Sequence, residues 1–175
     1  MTVREQSGRE VLEIVHRALR GLDRREWGDY RAAFADRLHL DYSSWRPDSI
    51  GWWTADDWVA RVGGGFINDC DATQHSVSNP LISQDGDHVV LECEVRAMHV
   101  LETQWLELGG TYTWRFARAG DAPGDGRWLA DGLALAIRWR LGNPDLPALA
   151  AARTAGTAQQ AAAGHPGDSA DEFYD

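Results

Sequence analysis

The stretch HVVLECEVRAMHVLE, residues 88–102, decides the fold. Val89, Leu91, Cys93, Val95 and Ala97 share one parity, and Glu92, Glu94 and Arg96 the other. Successive side chains of an extended chain point to opposite faces, so this period of two predicts a long strand with one buried side. The buried row continues into His99, which has the same parity. An imidazole aimed into the interior calls for a reason, because a buried polar group without a hydrogen-bond partner is unfavourable.

Working outward, QDGD (residues 84–87) predicts a turn, and residues 72–83, beginning ATQHSVSNP, predict a partner strand. There His75 shares its parity with Thr73, Val77 and Leu81. Downstream, WLELGGTYTWRFARA (105–119) and RWLADGLALAIRWRL (127–141) predict two more strands, the first with a bulge at Gly109 and Gly110. Upstream, LHLDYSSW (38–45) alternates, with Leu38, Leu40 and Tyr42 on one face, and RPDSIGW (46–52) reads as a loop. The N-terminal part is helical. Val11, Leu12, Ile14, Val15, Ala18, Leu19 and Leu22 recur at helical period after a capping-box pair, Ser7 and Glu10. Trp27, Tyr30, Arg31 and Phe34 give a second, shorter rhythm. Thr54 and Asp57 predict the cap of a third helix through Trp58, Val59 and Val62, stopped by Gly63–Gly65. Helices followed by an antiparallel meander give an α+β fold. A strongly curved sheet wrapped against those helices makes a cone with a deep pocket inside. The domain is expected to span residues 1–145, and the Ala-rich, then acidic segment 146–175 to be a largely mobile tail.

Bulk properties narrow the function. The chain of 175 residues has the length of one domain, and its net charge of −10 disfavours nucleic acid and anionic membrane as partners. No apolar run is long enough to span a bilayer, and the opening MTVREQSGREV lacks a secretory hydrophobic region, so a cytoplasmic protein is expected. Cys70 and Cys93 are then expected to be reduced thiols, and no zinc-site spacing is present. Nine tryptophans exceed what a core needs and suit a cavity for a flat apolar or aromatic ligand.

His75, His99 and Tyr42 thus point into one interior. Asp131 shares its parity with Leu129, Leu133 and Leu135, although a bulge at Gly132 could turn it outward. Titratable groups clustered in an apolar cavity are how acid–base sites are built. A histidine exchanges protons near neutrality without a metal, and a tyrosine donates a hydrogen bond to a developing enolate oxygen. Asp23, at the end of the first helix, could fix the tautomer of a histidine or could cap the second helix. There is no GxSxG, Gly63–Gly65 do not form a phosphate loop, and Cys93 reads as core packing.

The segments LDRREWGDYRAAFADRLHLDYSSW (22–45), ATQHSVSNP (72–80), AMH (97–99) and GRWLADGLALAIRW (126–139) together resemble scytalone dehydratase and its bacterial relatives, within the SnoaL-like, nuclear transport factor 2-like superfamily. The resemblance covers about residues 8–145. It implies a cone-shaped α+β barrel and a cofactor-independent lyase acting on a hydroxylated cyclic or polyketide-like carbonyl compound. His75 is then the acid–base catalyst, and His99 contacts the departing hydroxyl, which it is expected to protonate with Asp23 orienting its ring. Tyr42 polarises the carbonyl, and Asp23 matches the aspartate closing the first helix. Leu22 stands where the dehydratase has a second tyrosine, and Gly110 and Tyr112 replace a serine and an asparagine. The candidate substrate contacts are Leu22, Trp27, Trp45, Trp53, Val95, Ala97, Tyr112 and Asp131. No metal or other cofactor is expected, and the resemblance implies a homo-oligomer, a trimer or dimer. A cyclase or isomerase of secondary metabolism, a non-catalytic binding module, and a metal on His75, His99 and Asp23 remain as alternatives. The row Tyr112, Trp114 and Phe116 is either pocket wall or subunit interface.

Overall fold

A computed structural model describes residues 3–119 and 126–163. The first helix, α1 (Val3–Arg24), buries the stripe Val11, Val15, Ala18, Leu19 and Leu22. It starts ahead of the expected capping box, so Ser7 is buried inside the helix and caps nothing. A short helix α2 (Trp27–Arg31) leads into strand β1 (Phe34–Asp41). Phe34 opens the strand and does not close the helix, because its ring stacks on Trp114 of the sheet at 5.8 Å. The supposed loop holds a second strand, β2 (Ile50–Thr54). It is an edge strand whose Ile50 and Trp52 face solvent, so its sequence carries no inside-to-outside contrast. Helix α3 (Ala55–Gly63) starts where expected, with the Thr54 hydroxyl accepting the Asp57 N–H at 3.1 Å, and a four-residue helix α4 (Phe66–Asp69) follows.

Four long strands then run as a meander: β3 (Ala72–Asp85), β4 (His88–Leu101), β5 (Gln104–Arg118) and β6 (Trp128–Gly142). The order β2-β1-β6-β5-β4-β3 makes one curved, unclosed sheet, antiparallel except where β1 runs parallel beside β6. The turn between β3 and β4 is two residues long, with Gly86 at φ 57° in its first position, where only glycine enters the left-handed region without cost. Edge strand β3 tolerates Pro80 because the ladder breaks between Ser78 and Leu81, with Asn79 at φ 52°.

The inward row of β4 is buried from Val89 to His99, as its alternation predicts. Trp114 and Phe116 join it in the core beneath α1, so their row on β5 is interior and not a subunit interface. Cys70 and Cys93 are free and buried, and burial pushes both thiols up to about 11. The expected bulge at Gly109 and Gly110 is present, as a register shift against β6. A Cβ on Gly110 would lie 2.1 Å from the Ala136 carbonyl oxygen, so the two strands approach too closely for any side chain. Gly110→Ala should therefore lower stability by about 2–3 kcal/mol in urea unfolding. Gly28→Ala is the control, since a Cβ there meets nothing within 4 Å. It should leave stability unchanged or raise it by about 0.5–1 kcal/mol.

The Ala-rich segment expected to be mobile forms helix α5 (Leu146–Ala163). Leu146 and Ala150 are fully buried against Leu101, Leu106 and Leu108. Arg153 bonds the Asp69 carbonyl at 2.6 Å and the Asp71 carboxylate at 2.7 Å, and the Thr154 hydroxyl bonds Asp69 at 2.8 Å. Small side chains let this helix sit close to the sheet and brace α4, a contact that alanine composition does not announce. Residues 164–175 lie outside the described residues. Among the described residues no helix is long and apolar enough to cross a membrane.

Candidate active site

The concave face of the sheet and helices α1 to α4 enclose a cavity of about 460 Å³, within the usual range for small-molecule sites. At its inner end lies a histidine–aspartate pair. Asp23 stands in the last turn of α1, facing edge strand β3. One carboxylate oxygen lies 2.7 Å from His75 Nδ1 and accepts the Thr73 hydroxyl at 3.0 Å; the other accepts the His75 backbone N–H at 2.7 Å. That amide points away from β4, and an edge strand leaves such groups without a partner unless something covers them. The cap of α2 is Glu26, so Asp23 serves His75 and not the helix. Burial pushes the Asp23 carboxyl up, but the hydrogen bonds and charge of His75 and the Thr73 hydroxyl outweigh it, and the group lies below its ordinary value. Ionised, it can only accept, so in the neutral imidazole His75 Nδ1 carries the proton and the Nε2 lone pair is left to the cavity side. The His75 side chain is only 5% exposed.

His99 stands across from His75, ring to ring at 5.6 Å and nearly perpendicular. Its Nδ1 lies 3.3 Å from the Leu106 carbonyl, and Phe66 of α4 stacks on its face at 4.7 Å. A carbonyl only accepts, so His99 too holds its proton on Nδ1. Its pKa is lowered to about 4, first by burial and then by the neighbouring His75, against the Leu106 and Ala97 backbone and Asp23. At neutral pH His99 is an uncharged hydrogen-bond acceptor. Its folded pKa lies below the ordinary 6.5, so between those values the unfolded chain binds a proton that the folded chain refuses. Stability must fall as pH is lowered through that window, by about 2 kcal/mol at pH 5 from this group alone. Urea unfolding at neutral pH and at pH 5 should show that loss in the wild type and a clearly smaller one in His99→Gln.

Three phenols face the histidines. Tyr42 sits just past β1, and its pKa is raised well above the ordinary value by burial and by the nearby Tyr112 and Tyr30. Tyr112 of β5 is pushed up to about 12, chiefly by burial. Tyr30 of α2 is raised further, again by burial, and its oxygen accepts the Trp58 indole N–H at 3.1 Å. All three remain neutral hydrogen-bond donors at physiological pH. Sequence reasoning missed Arg46, Arg61, Phe66 and Ile137 in the lining, and also Tyr30 and Trp58. The last two fit a helical apolar rhythm, and only the polar tip of a buried tyrosine pointed to more.

Of the candidate contacts, Leu22, Trp45, Val95, Ala97 and Tyr112 line the cavity with Tyr42, His75 and His99. Three do not. Trp27 lies against Gly63 in a separate recess beside Arg31 and Asp56. Trp53 meets Trp58 edge-on at 6.3 Å and lies beneath the Arg61 guanidinium, outside the lining. Asp131 falls in the irregularity between Arg115 and Phe116, which turns it to the other face of the sheet, where it pairs with Arg115 at 2.8 Å and His88 at 3.3 Å. Among the described residues no group of three or more His, Cys, Asp or Glu is arranged to hold a metal ion.

The walls are held from outside. Arg25, at φ 58°, donates to the carbonyls of Asp23, Ile67 and Cys70 at 2.8–2.9 Å, which ties the end of α1 to α4. Ser44 bonds the Leu135 carbonyl at 2.5 Å and the Ile137 N–H at 3.2 Å, which pins the loop after β1, with Trp45, to β6.

The profile of the SnoaL-like domain matches residues 6–133. The Kfla4162 protein of Kribbella flavida superposes with a TM-score of 0.73 at 22% identity, over 82% of this chain and 98% of that one. A scytalone dehydratase candidate from Novosphingobium aromaticivorans gives 0.64 at 17% identity, over 77% and 86%. The hexachlorocyclohexane dehydrochlorinase LinA-type3 of Novosphingobium barchaimii gives 0.64 at 19%, over 81% and 92%. These likenesses show a shared fold. No protein with a curated description matches the chain. The domain match covers most of the sequence and every residue of the histidine, aspartate and tyrosine cluster, and the chain belongs to the SnoaL-like domain family.

Proposed function

We propose that the cavity is the active site of a cofactor-independent lyase that eliminates water from a hydroxylated cyclic or polyketide-like carbonyl compound. The observation that carries this reading is the Asp23–His75 pair, which leaves one unprotonated ring nitrogen facing an apolar cavity lined by neutral phenols. His75 Nε2 takes the proton α to the carbonyl, and Asp23 stabilises the imidazolium that forms. Tyr42, with Tyr112 or Tyr30 beside it, donates to the enolate oxygen. The β-hydroxyl then leaves. His99, uncharged and with its proton turned to Leu106, has none to give on its cavity side, so its part is to accept a hydrogen bond from that hydroxyl and orient it. The proton on His75 passes to the leaving oxygen, which departs as water, and the imidazole returns to its starting state.

Elimination is the chemistry named in two of the structural neighbours, a dehydratase candidate and a dehydrochlorinase, which supports the class of reaction. The neutral state of His99 also favours a second reading, isomerisation or cyclisation, which needs the base and the phenols but no departing group. Incubation with β-hydroxy cyclic ketones and mass analysis of the product separates the two. Loss of one water supports the lyase, an unchanged mass with a new retention time supports the isomerase or cyclase, and no turnover across the series speaks against both.

A further inference from the structure

We infer that the substrate carries a carboxylate, docked at the cavity mouth on Arg46 and Arg61. This deepens the preceding section and rests on its assignment of the cavity as the substrate site. The chain has 27 acidic and 17 basic residues, and every basic one is arginine. The cavity lining reverses that balance: it holds Arg46 and Arg61 and no aspartate or glutamate. Both arginines line the cavity and are exposed, whereas the His75 and His99 side chains are buried, which puts the arginines toward its open end.

Arg61 is oriented by Asp48 at 3.1 Å, by the buried Ser49 at 3.5 Å and by the Trp53 ring beneath it. Arg46 follows Trp45 in the same loop and is positioned by its backbone N–H to the Tyr42 carbonyl at 2.9 Å. Among the described residues its guanidinium has no carboxylate partner, in a protein where acidic groups are in excess. A planar fork of donors at the rim of an apolar cavity fits a carboxylate in two-point contact. The anion there stays partly hydrated, so its docking carries little desolvation cost. The flat body of the ligand then reaches inward past Trp45 and Ile137 toward His75.

Calorimetric binding of 2-naphthoate and its neutral isostere 2-naphthamide tests this without turnover, at mildly alkaline pH and low salt. The net negative charge of the protein disfavours the acid, so a preference for it must arise locally. Wild-type protein should bind the acid roughly three- to tenfold tighter than the amide, and added salt should narrow the gap. Arg46→Gln should abolish the preference and leave amide affinity in place, and Arg46→Lys should restore part of it. The preference should survive in His75→Gln, which lacks the imidazole. Equal affinities in the wild type, a preference that persists in Arg46→Gln, or one that vanishes in His75→Gln would each overturn the inference. In those cases amide binding shows that the ligand site still stands. Binding of neither compound would overturn both the inference and the assignment of the cavity.

Discussion

Glutamine in place of His75 should lower turnover by about 10²–10⁴-fold, the usual contribution of a positioned general base. The argument starts from position. The imidazole is buried, its Nδ1 is committed to Asp23, and its other nitrogen faces the cavity, where the proposed mechanism uses it as the base. Glutamine keeps most of the volume and can still donate to the Asp23 carboxylate, so the fold and the pair's geometry persist without the base. The loss should appear in kcat far more than in KM, because the group acts on a proton that moves only in the transition state. A residual rate above the uncatalysed one should remain, supplied by the phenols. Unchanged circular dichroism and a urea midpoint close to the wild type would establish that chemistry and not folding was lost.

Asp23→Asn should be nearly as damaging, for a different reason. The carboxylate accepts three hydrogen bonds, from the His75 ring, the His75 backbone and the Thr73 hydroxyl. An amide of the same shape has one accepting atom and presents an N–H₂ group where a donor already points. Either the ring flips to the tautomer that puts its proton into the cavity, or the β3 amide loses its partner. The expected result is a drop in kcat of about 10²-fold or more, with the imidazolium also left uncompensated. Stability should fall by about 1–3 kcal/mol, the cost of stranding a half-buried donor. The sign with pH follows from the lowered carboxyl pKa. The stabilisation is complete above the ordinary aspartate value of 3.8 and disappears as pH drops through the lower folded value, so the gap between wild type and Asp23→Asn should close only in strong acid. Nitrogen NMR of the His75 ring gives the tautomer directly and separates positioning from general destabilisation.

Much of this was legible in the sequence wherever burial alternates. On β4 the inward row could be traced to His99 residue by residue, and on β3 the same alternation aimed His75 into the same interior. The bulge at Gly109 and Gly110 showed as paired glycines within a strand. Legibility failed where local pattern and tertiary contact part company. Strand β2 has its apolar residues on a solvent face, and α5 is held by alanine and leucine contacts that resemble a disordered tail. Phe34 was drawn from a helical rhythm into a strand by the Trp114 ring. In the site, tryptophan composition foretold a cavity but not which tryptophans: Trp45 and Trp58 line it, whereas Trp27 and Trp53 pack elsewhere. The partner of Asp23 also needed three dimensions. The sequence reading gave Asp23 to His99, and the placement of α1 against edge strand β3 gives it to His75 instead.

The central claim is that His75 removes a proton from carbon next to a carbonyl, and hydrogen exchange reads that step alone. 2-Tetralone, a flat bicyclic ketone, can be incubated with the protein in deuterium oxide and its α-positions followed by proton NMR. Wild-type protein is predicted to speed deuterium incorporation well above the buffer rate, and His75→Gln to lose most of that acceleration. Exchange no faster with wild-type protein than with buffer, or equally fast with His75→Gln, would contradict the assignment of His75 as the base.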